Sequence, residues 1–99
     1  MPKMRLDLQE GFNNDTVEIL VNGQTVLQKE GVTTKLMIGL ALSSEIEAPD
    51  GTLDVEIKVP TKNLSKTISV ETSNTPNLGI SILNGEIKII TSETRFGYA

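Results

Sequence analysis

Hydrophobic and polar residues alternate with a period of two along most of this 99-residue chain. The clearest run is TLDVEIKV, residues 52–59, in which the four aliphatic side chains share one face and Asp54, Glu56 and Lys58 share the other. Successive side chains of a strand point to opposite sides of a sheet, so this run predicts a half-buried strand. Pro60 follows and ends it, because proline cannot donate to a strand ladder.

The same alternation recurs in five other segments. They are the residues around Leu6 and Leu8, TVEILV (16–21), KTISVET (66–72), LGISIL (78–83) and EIKII (86–90). The pairs Asn22-Gly23 and Asn84-Gly85 lie between alternating runs and predict two-residue hairpins, because Asn and Gly tolerate positive φ best. The pattern predicts an all-β fold, an antiparallel two-sheet sandwich of about seven or eight strands with Asn-Gly hairpins. Residues 1–99 are expected to form one domain.

The segment 34–42 fits two patterns. One face of a short helix would collect Leu36, Met37, Leu40 and Ala41. An extended chain would instead place the even-numbered aliphatic residues on one side, with a bend or bulge near Gly39. We favour the extended form and keep the helix as the alternative. The run KLMIGLAL is also more apolar than a one-sided strand requires, so it is either covered within the chain or part of an interface.

Composition excludes several chemistries. The chain has no Cys and no His, which removes disulfides, thiolate metal sites and the commonest general base near neutral pH. Nine basic residues are dispersed among thirteen acidic ones, and the net charge of −4 argues against nucleic-acid binding. Nearly all of the carboxylates fall on solvated strand faces or in loops, and we therefore predict a protein that is not an enzyme and has no cofactor.

The order VEILVNG and then IEAPDGTLDVEIKV resembles immunoglobulin-like and prealbumin-like sandwich modules, in which a strand, a Pro-x-Gly turn and a second strand form a hairpin. The resemblance implies a two-sheet architecture over residues 5–91. The Cys…Trp…Cys pattern of true immunoglobulin domains is absent. No functional residue can be transferred, because such folds host many functions.

Two ligand classes compete with protein binding. Asn13, Asn14 and Asp15, together with Asp50, offer the oxygen ligands that calcium prefers, although Asn and Asp also favour turns for their own hydrogen bonds. Carbohydrate sites on sheets use exposed aromatic side chains, and Phe12 is one of only three aromatic residues. Phe12 could equally close one end of the core.

The other two aromatic residues, Phe96 and Tyr98, lie in the terminal octet SETRFGYA. In an extended segment both side chains point the same way. Such a segment is either a clasp over a sheet edge, a recognition element for a partner, or a frayed end. Phe12, Phe96 and Tyr98 are therefore the candidate partner contacts.

Association remains the favoured function. A strand-rich chain has sheet edges that can accept a strand from another protein or from a second copy, and Ile90 breaks the alternation of EIKII either as a bulge or as an outward apolar residue. We expect an interaction or structural module, with a carbohydrate- or calcium-binding accessory module as the alternative. No apolar run is long enough to span a membrane and no secretory h-region follows Met1, so we expect a cytoplasmic protein if this is the natural start.

Overall fold

The computed structural model describes residues 3–35, 37–47, 51–71 and 77–92. Within these ranges the chain forms strands and one short 3₁₀ helix, Pro60–Lys62. The strands are β1 Lys3–Leu8, β2 Asp15–Val21, β3 Gln24–Val32, β4 Leu42–Glu47, β5 Thr52–Val59, β6 Leu64–Glu71, β7 Asn77–Leu83 and β8 Glu86–Ser92. They build two four-stranded sheets, ordered β4-β1-β7-β8 and β3-β2-β5-β6. The prediction of an all-β fold is confirmed.

The first sheet is mixed, which corrects the prediction of purely antiparallel pairing. β1 runs antiparallel to β4 but parallel to β7, with Leu6 opposite Leu78. Alternation reveals which face of a strand is buried but carries no information on the direction of its neighbour. Parallel strands also need a long connection rather than a tight turn, so no turn motif in the sequence indicates that β1 and β7 pair.

Both Asn-Gly pairs connect antiparallel neighbours. Val21 of β2 pairs with Gln24 of β3, and Leu83 of β7 pairs with Glu86 of β8. The connecting residues have φ values of 50° and 83° in the first case and 54° and 73° in the second. Positive φ at both positions is the geometry that Asn followed by Gly accommodates at least cost.

One hydrophobic cluster draws on both sheets. The fully buried aliphatic positions of β2 and β5 alternate along each strand, as the sequence predicts. Those of the other sheet come from β1 and β7. Strand β7 differs from its prediction, because both of its faces are buried. The polar face of β7 is covered at Gly79, where a Cβ would lie only 2.7 Å from Nε2 of Gln9.

The segment between β3 and β4 is neither the extended run that we favoured nor a helix. Lys35 and Leu40 form an isolated bridge, and the amide of Gly39 donates to the carbonyl oxygen of Lys35 at 2.8 Å. Gly39 has a φ of 67°, so the predicted change of direction at this residue is confirmed. Beyond the turn, Leu42 begins a strand, as its parity indicates. The turn leaves Met37 93% exposed.

Candidate functional site

Phe12 belongs to the core. Its side chain is 3% exposed and packs in the cluster shared by the two sheets. Its backbone N–H donates to Oγ1 of Thr34 at 3.1 Å, and its carbonyl oxygen accepts from the amide of Thr34 at 2.9 Å. Oγ1 of Thr34 in turn donates to the carbonyl oxygen of Gln9 at 2.6 Å. A ring so enclosed cannot serve as a partner contact, and this placement corrects that candidate in favour of a plug at one end of the core.

The other two candidate contacts, Phe96 and Tyr98, lie outside the described residues. The same holds for Asp50, one of the oxygen ligands considered for calcium.

Asp15 connects the start of β2 to the segment that follows β5. Its carboxylate is buried and accepts hydrogen bonds from Nζ of Lys62 at 2.7 Å, from Oγ1 of Thr61 at 2.7 Å and from the backbone N–H of Asn13 at 2.9 Å. The ammonium group of Lys62 already forms an ion pair with this carboxylate. Among the described residues no group of three acidic side chains is placed to hold a metal ion. The calcium hypothesis therefore loses its best-placed ligand.

The charge state of Asp15 follows from these contacts. Burial raises the pKa of its carboxyl, but the hydrogen bond from Lys62, those from Asn13 and Thr61, and the positive charge of Lys62 lower it by more. The pKa of Asp15 consequently lies below its usual 3.8, and the group is ionised near neutral pH.

The outward face of the sheet β4-β1-β7-β8 also holds a buried carboxylate. Asp7 points away from the core, yet it is 1% exposed. Its Oδ1 accepts from Oγ of Ser43 at 2.6 Å and from Nε of Arg5 at 3.2 Å. The bond from Ser43 ties β1 to β4, and the guanidinium of Arg5 on the same strand balances the charge, so Asp7 is explained as part of the sheet.

Three of the four sheet edges carry features that discourage strand addition. β3 has two register shifts against β2 and an exposed Lys29-Glu30 pair. β4 is six residues long and carries Glu45 and Glu47. β6 carries Lys66 at a position opposite the core residue Ile57, so this lysine has the parity of an inward-facing side chain. Bulges, short charged strands and inward-pointing charges are the devices by which proteins block edge pairing.

The fourth edge, β8, is blocked only at its beginning. Nζ of Lys66 crosses from the other sheet and donates to the carbonyl oxygen of Ile87 at 3.4 Å. Glu86 and Lys88 form an exposed ion pair at 3.2 Å beside it. The second half of the strand, residues 89–92, has neither charge, glycine nor proline. Within the described part of the chain, no strand pairs with β8 on the side away from β7. We call residues 89–91 the free edge of β8.

Ile90 is the exposed apolar side chain on this edge. The pairing of β7 with β8 runs without a shift from Asn77 opposite Ser92 to Leu83 opposite Glu86, so Ile90 does not sit in a bulge. It is 56% exposed and lies opposite Gly79, which has no side chain to cover it. Of the two interpretations of Ile90, the outward apolar residue is confirmed.

The backbone groups of the free edge have a fixed direction. The two-residue turn makes Leu83 and Glu86 the closing pair of the ladder, so the groups of Ile87 face away from β7, in agreement with the bond from Lys66. Because the direction alternates, the N–H and C=O groups of Ile89 and Thr91 also face outward. These are the hydrogen-bonding groups that an added strand would use.

Two cavities of the described surface are small. One of about 270 Å³ lies between β6 and β8 and is lined by residues 64–66 and 85–88. A second, of about 210 Å³, adjoins it at Leu64 and Ser65. Both fall below the usual range for small-molecule sites, about 300–1,000 Å³.

Sequence reasoning identified Ile90 but missed Lys66. The signal was available, since Lys66 has the same parity as Ile68 and Val70 in a run whose other face is polar. A charged residue at the apolar parity of a strand indicates an edge.

We found no protein-family model, no curated protein and no solved structure that matches this chain. No helix among the described residues has the length and apolarity that a membrane crossing requires.

Proposed function

We propose that this protein is a non-catalytic β-sandwich module that binds an extended protein segment along the free edge of β8. The bound segment adds a fifth strand to the sheet β4-β1-β7-β8. Backbone hydrogen bonds to Ile89 and Thr91 provide the affinity, and the apolar surface of Ile90 contributes to the selection of the partner.

The sandwich arrangement with Asn-Gly hairpins is part of the proposal. It is supported by a single hydrophobic cluster that takes side chains from both four-stranded sheets, and by positive φ values at both Asn-Gly connections. In the constant-type immunoglobulin order the first two strands share a sheet, whereas here β1 and β2 lie in different sheets. Of the two architectures that the sequence resembles, we therefore propose the prealbumin-like one.

The non-catalytic assignment is supported by how the buried carboxylates are used. Asp7 and Asp15 each accept hydrogen bonds from at least two other residues, including a cationic side chain. The larger cavity is lined by a single carboxylate, Glu86, and that group is paired with Lys88. A general acid/base pair needs two carboxyl groups in a shared concave site, and this cavity does not provide them.

The observation that carries the proposal is the contrast between the edges. β3, β4 and β6 each carry a blocking device, and β8 carries one only as far as Lys88. The alternative of a carbohydrate- or calcium-binding module is less well supported, because Phe12 is buried in the core and Asp15 is paired with Lys62. Among the described residues, the free edge of β8 is therefore the surface at which we expect a partner to bind.

Selection from a display library of random dodecapeptides tests the proposal. Peptides recovered on the wild type should lose binding to Thr91→Pro, because proline removes the outward N–H of residue 91 without removing a bond to β7. They should keep binding to the control Met37→Lys, which changes an exposed apolar residue on the turn between β3 and β4.

Amide exchange supplies the second measurement. Bound peptide should slow exchange at Ile89 and Thr91, while Gln28 on the edge strand β3 stays unchanged. Peptides that bind Thr91→Pro as tightly as the wild type would place the binding surface elsewhere and overturn the proposal. A library that yields no binder would overturn it too.

A further inference from the structure

We infer that Asn84 is a site of spontaneous deamidation and that the fold protects Asn22, although a glycine follows each of them. The products are aspartate and isoaspartate in the turn between β7 and β8. The inference does not depend on the proposed binding function, because it concerns a covalent change within the chain.

Deamidation is a reaction of the chain with itself. The backbone nitrogen of Gly85 loses its proton to hydroxide and attacks Cγ of Asn84. A succinimide ring forms as the bond from Cγ to Nδ2 breaks, and ammonia leaves with a proton from water. Water then opens the ring at either carbonyl. One product is aspartate, and the other is isoaspartate, whose main chain runs through the side-chain carbon and is longer by one methylene.

The residue after an asparagine sets the access to the attacking nitrogen. Glycine has no side chain to crowd it, and a Cβ built at Gly23 or Gly85 would have nothing within 4 Å. The other asparagines that the structure describes are followed by residues with side chains. Local chemistry therefore selects Asn22 and Asn84, and the surrounding structure has to distinguish between them.

Asn22 is held to β5 by two hydrogen bonds. Its N–H donates to the carbonyl oxygen of Asp54 at 2.8 Å, and its Oδ1 accepts from the N–H of Asp54 at 2.9 Å. Ring closure requires new dihedral angles in both the side chain and the turn, so the turn must open transiently. The bond from Asp54 fixes the side-chain carbonyl against β5 and opposes this rearrangement.

Asn84 lacks such a restraint. Among the residues that the structure describes, no hydrogen bond involves its backbone N–H or its side chain. Its turn opens when the closing pair of Leu83 and Glu86 separates, and both of these residues are exposed. The closing pair of the other turn includes Val21, which is only 6% exposed.

The positions of the two turns in the sheets act in the same direction. Strand β2, which leads into Asn22, is paired on both sides by β3 and β5. Strand β8, which leaves the turn at Asn84, pairs only with β7 among the described strands. Hydrogen bonds of modest net strength make opening at Asn22 about tenfold rarer, so we expect Asn84 to react about tenfold faster in the folded protein.

The isoaspartate product changes the start of β8. A two-residue turn matches the ladder only at its normal backbone length, and the additional methylene should force Leu83 and Glu86 apart. Aspartate keeps that length and adds a negative charge near Glu86. We therefore expect the isoaspartate form to melt at a lower temperature than the unmodified protein.

Peptide mapping of the ageing protein tests the inference. The folded wild type is held in mildly alkaline buffer and digested with trypsin at intervals, which yields residues 6–29 and 67–88 as separate peptides. Fragmentation locates the exchange of NH₂ for OH and distinguishes isoaspartate from aspartate. Modification at Asn84 should be about tenfold faster than at Asn22 and should rise in proportion to hydroxide concentration.

The unfolded chain is the control for local sequence. In concentrated guanidinium chloride both turns are lost, and the two rates should converge. Equal rates in the folded protein, or a faster reaction at Asn22, would overturn the inference. A ratio that persists in the unfolded chain would overturn it too, because the difference would then come from neighbouring residues. The same holds if Asn84 stays intact in the folded protein while the unfolded chain reacts.

Asn84→Gly removes the reactive carbonyl and supplies a Gly-Gly turn, which also permits positive φ at both positions. The melting temperature of this variant should stay constant during ageing, whereas that of the wild type should fall. Asn22→Gly is the matched control and should lose as much as the wild type from its own starting value. An Asn84→Gly variant that ages like the wild type would contradict the inference.

Discussion

Nζ of Lys62 lies 2.7 Å from Oδ2 of Asp15, and this ion pair fastens the beginning of β2 to the 3₁₀ helix that follows β5. The Asp15 side chain is 3% exposed and that of Lys62 is 33% exposed. Thr61 and Asn13 complete the carboxylate's hydrogen bonds. The residue that the sequence offered as a calcium ligand thus holds β2 to the 3₁₀ helix.

Asp15→Asn should make stability less dependent on pH. The pKa of Asp15 in the folded protein lies below 3.8, so its stabilising contribution is fully present above about pH 5 and is lost as the pH falls through 3.8 toward the folded value. At neutral pH the variant should lose about 1–3 kcal/mol, because a buried charged hydrogen-bond acceptor is removed. Urea unfolding at about pH 7 and about pH 3 measures the difference, which should shrink at the lower pH.

Asp54→Asn is the matched control. Asp54 is exposed and accepts one hydrogen bond from Ser69. The substitution should change stability by less than about 0.5 kcal/mol at either pH. An Asp15→Asn variant with the same small effect would contradict the anchoring role of the ion pair.

Thr34→Val should destabilise the protein by about 2–4 kcal/mol. Valine has nearly the shape of threonine but cannot accept from the N–H of Phe12 or donate to the carbonyl oxygen of Gln9. Two backbone groups then lose their partner. Thr34→Ser keeps the hydroxyl and should recover most of the loss. Thermal unfolding of both variants decides, and a Thr34→Ser variant that melts below Thr34→Val would show that methyl packing rather than hydrogen bonding matters here.

Gly11→Ala should be far more damaging than Gly23→Ala. Both glycines have positive φ, 90° and 83°, so both substitutions strain the backbone. A Cβ at Gly11 would also lie 1.9 Å from the carbonyl oxygen of Ile82, whereas nothing lies within 4 Å of one at Gly23. We expect about 1–2 kcal/mol of strain at Gly23, and at Gly11 a loss beyond about 3 kcal/mol, because the backbone must move. Chemical denaturation curves of the two variants test the order.

Phe12→Ala should cost about 3–5 kcal/mol, as is typical for removal of a buried aromatic side chain. Phe12→Leu keeps most of the apolar volume and should cost about 1–2 kcal/mol. Equilibrium unfolding of both variants measures the difference. A Phe12→Ala variant as stable as the wild type would contradict the plug and return Phe12 to the candidates for partner binding.

Most of the strands could be predicted from the sequence, because a strand that is buried on one face requires apolar and polar residues to alternate. The run 52–59 and the strand observed there have the same bounds. The parallel pairing of β1 with β7 could not be predicted from the sequence, since no residue in either strand encodes the direction of a distant partner. The extended form favoured for the segment around Gly39 was wrong, because the shared parity of its aliphatic residues does not reflect a strand. The turn there depends on a backbone hydrogen bond between Lys35 and Gly39.

The candidate site was only partly predictable. Ile90 could be identified because it breaks the alternation of apolar and polar residues in β8. Such a break can be recognised from the sequence of a single strand. The role of Lys66 depends on a strand in the other sheet, and the backbone of Phe12 is held by a hydrogen bond to Thr34. Both facts arise from contacts between segments far apart in the chain, and a local pattern does not carry them.

The parallel pair of β1 and β7 has a consequence for the order of folding. All four strands of the sheet β3-β2-β5-β6 lie between Asp15 and Glu71, and its neighbouring strands are antiparallel. β1 can pair with β4 early, but its other edge stays vacant until β7 has been synthesised. Loop closure over so long a stretch is entropically costly and slows folding. We therefore expect docking of β7 beside β1 to be the late, rate-limiting event, and a nascent chain that exposes β1 to be most vulnerable to aggregation at that stage.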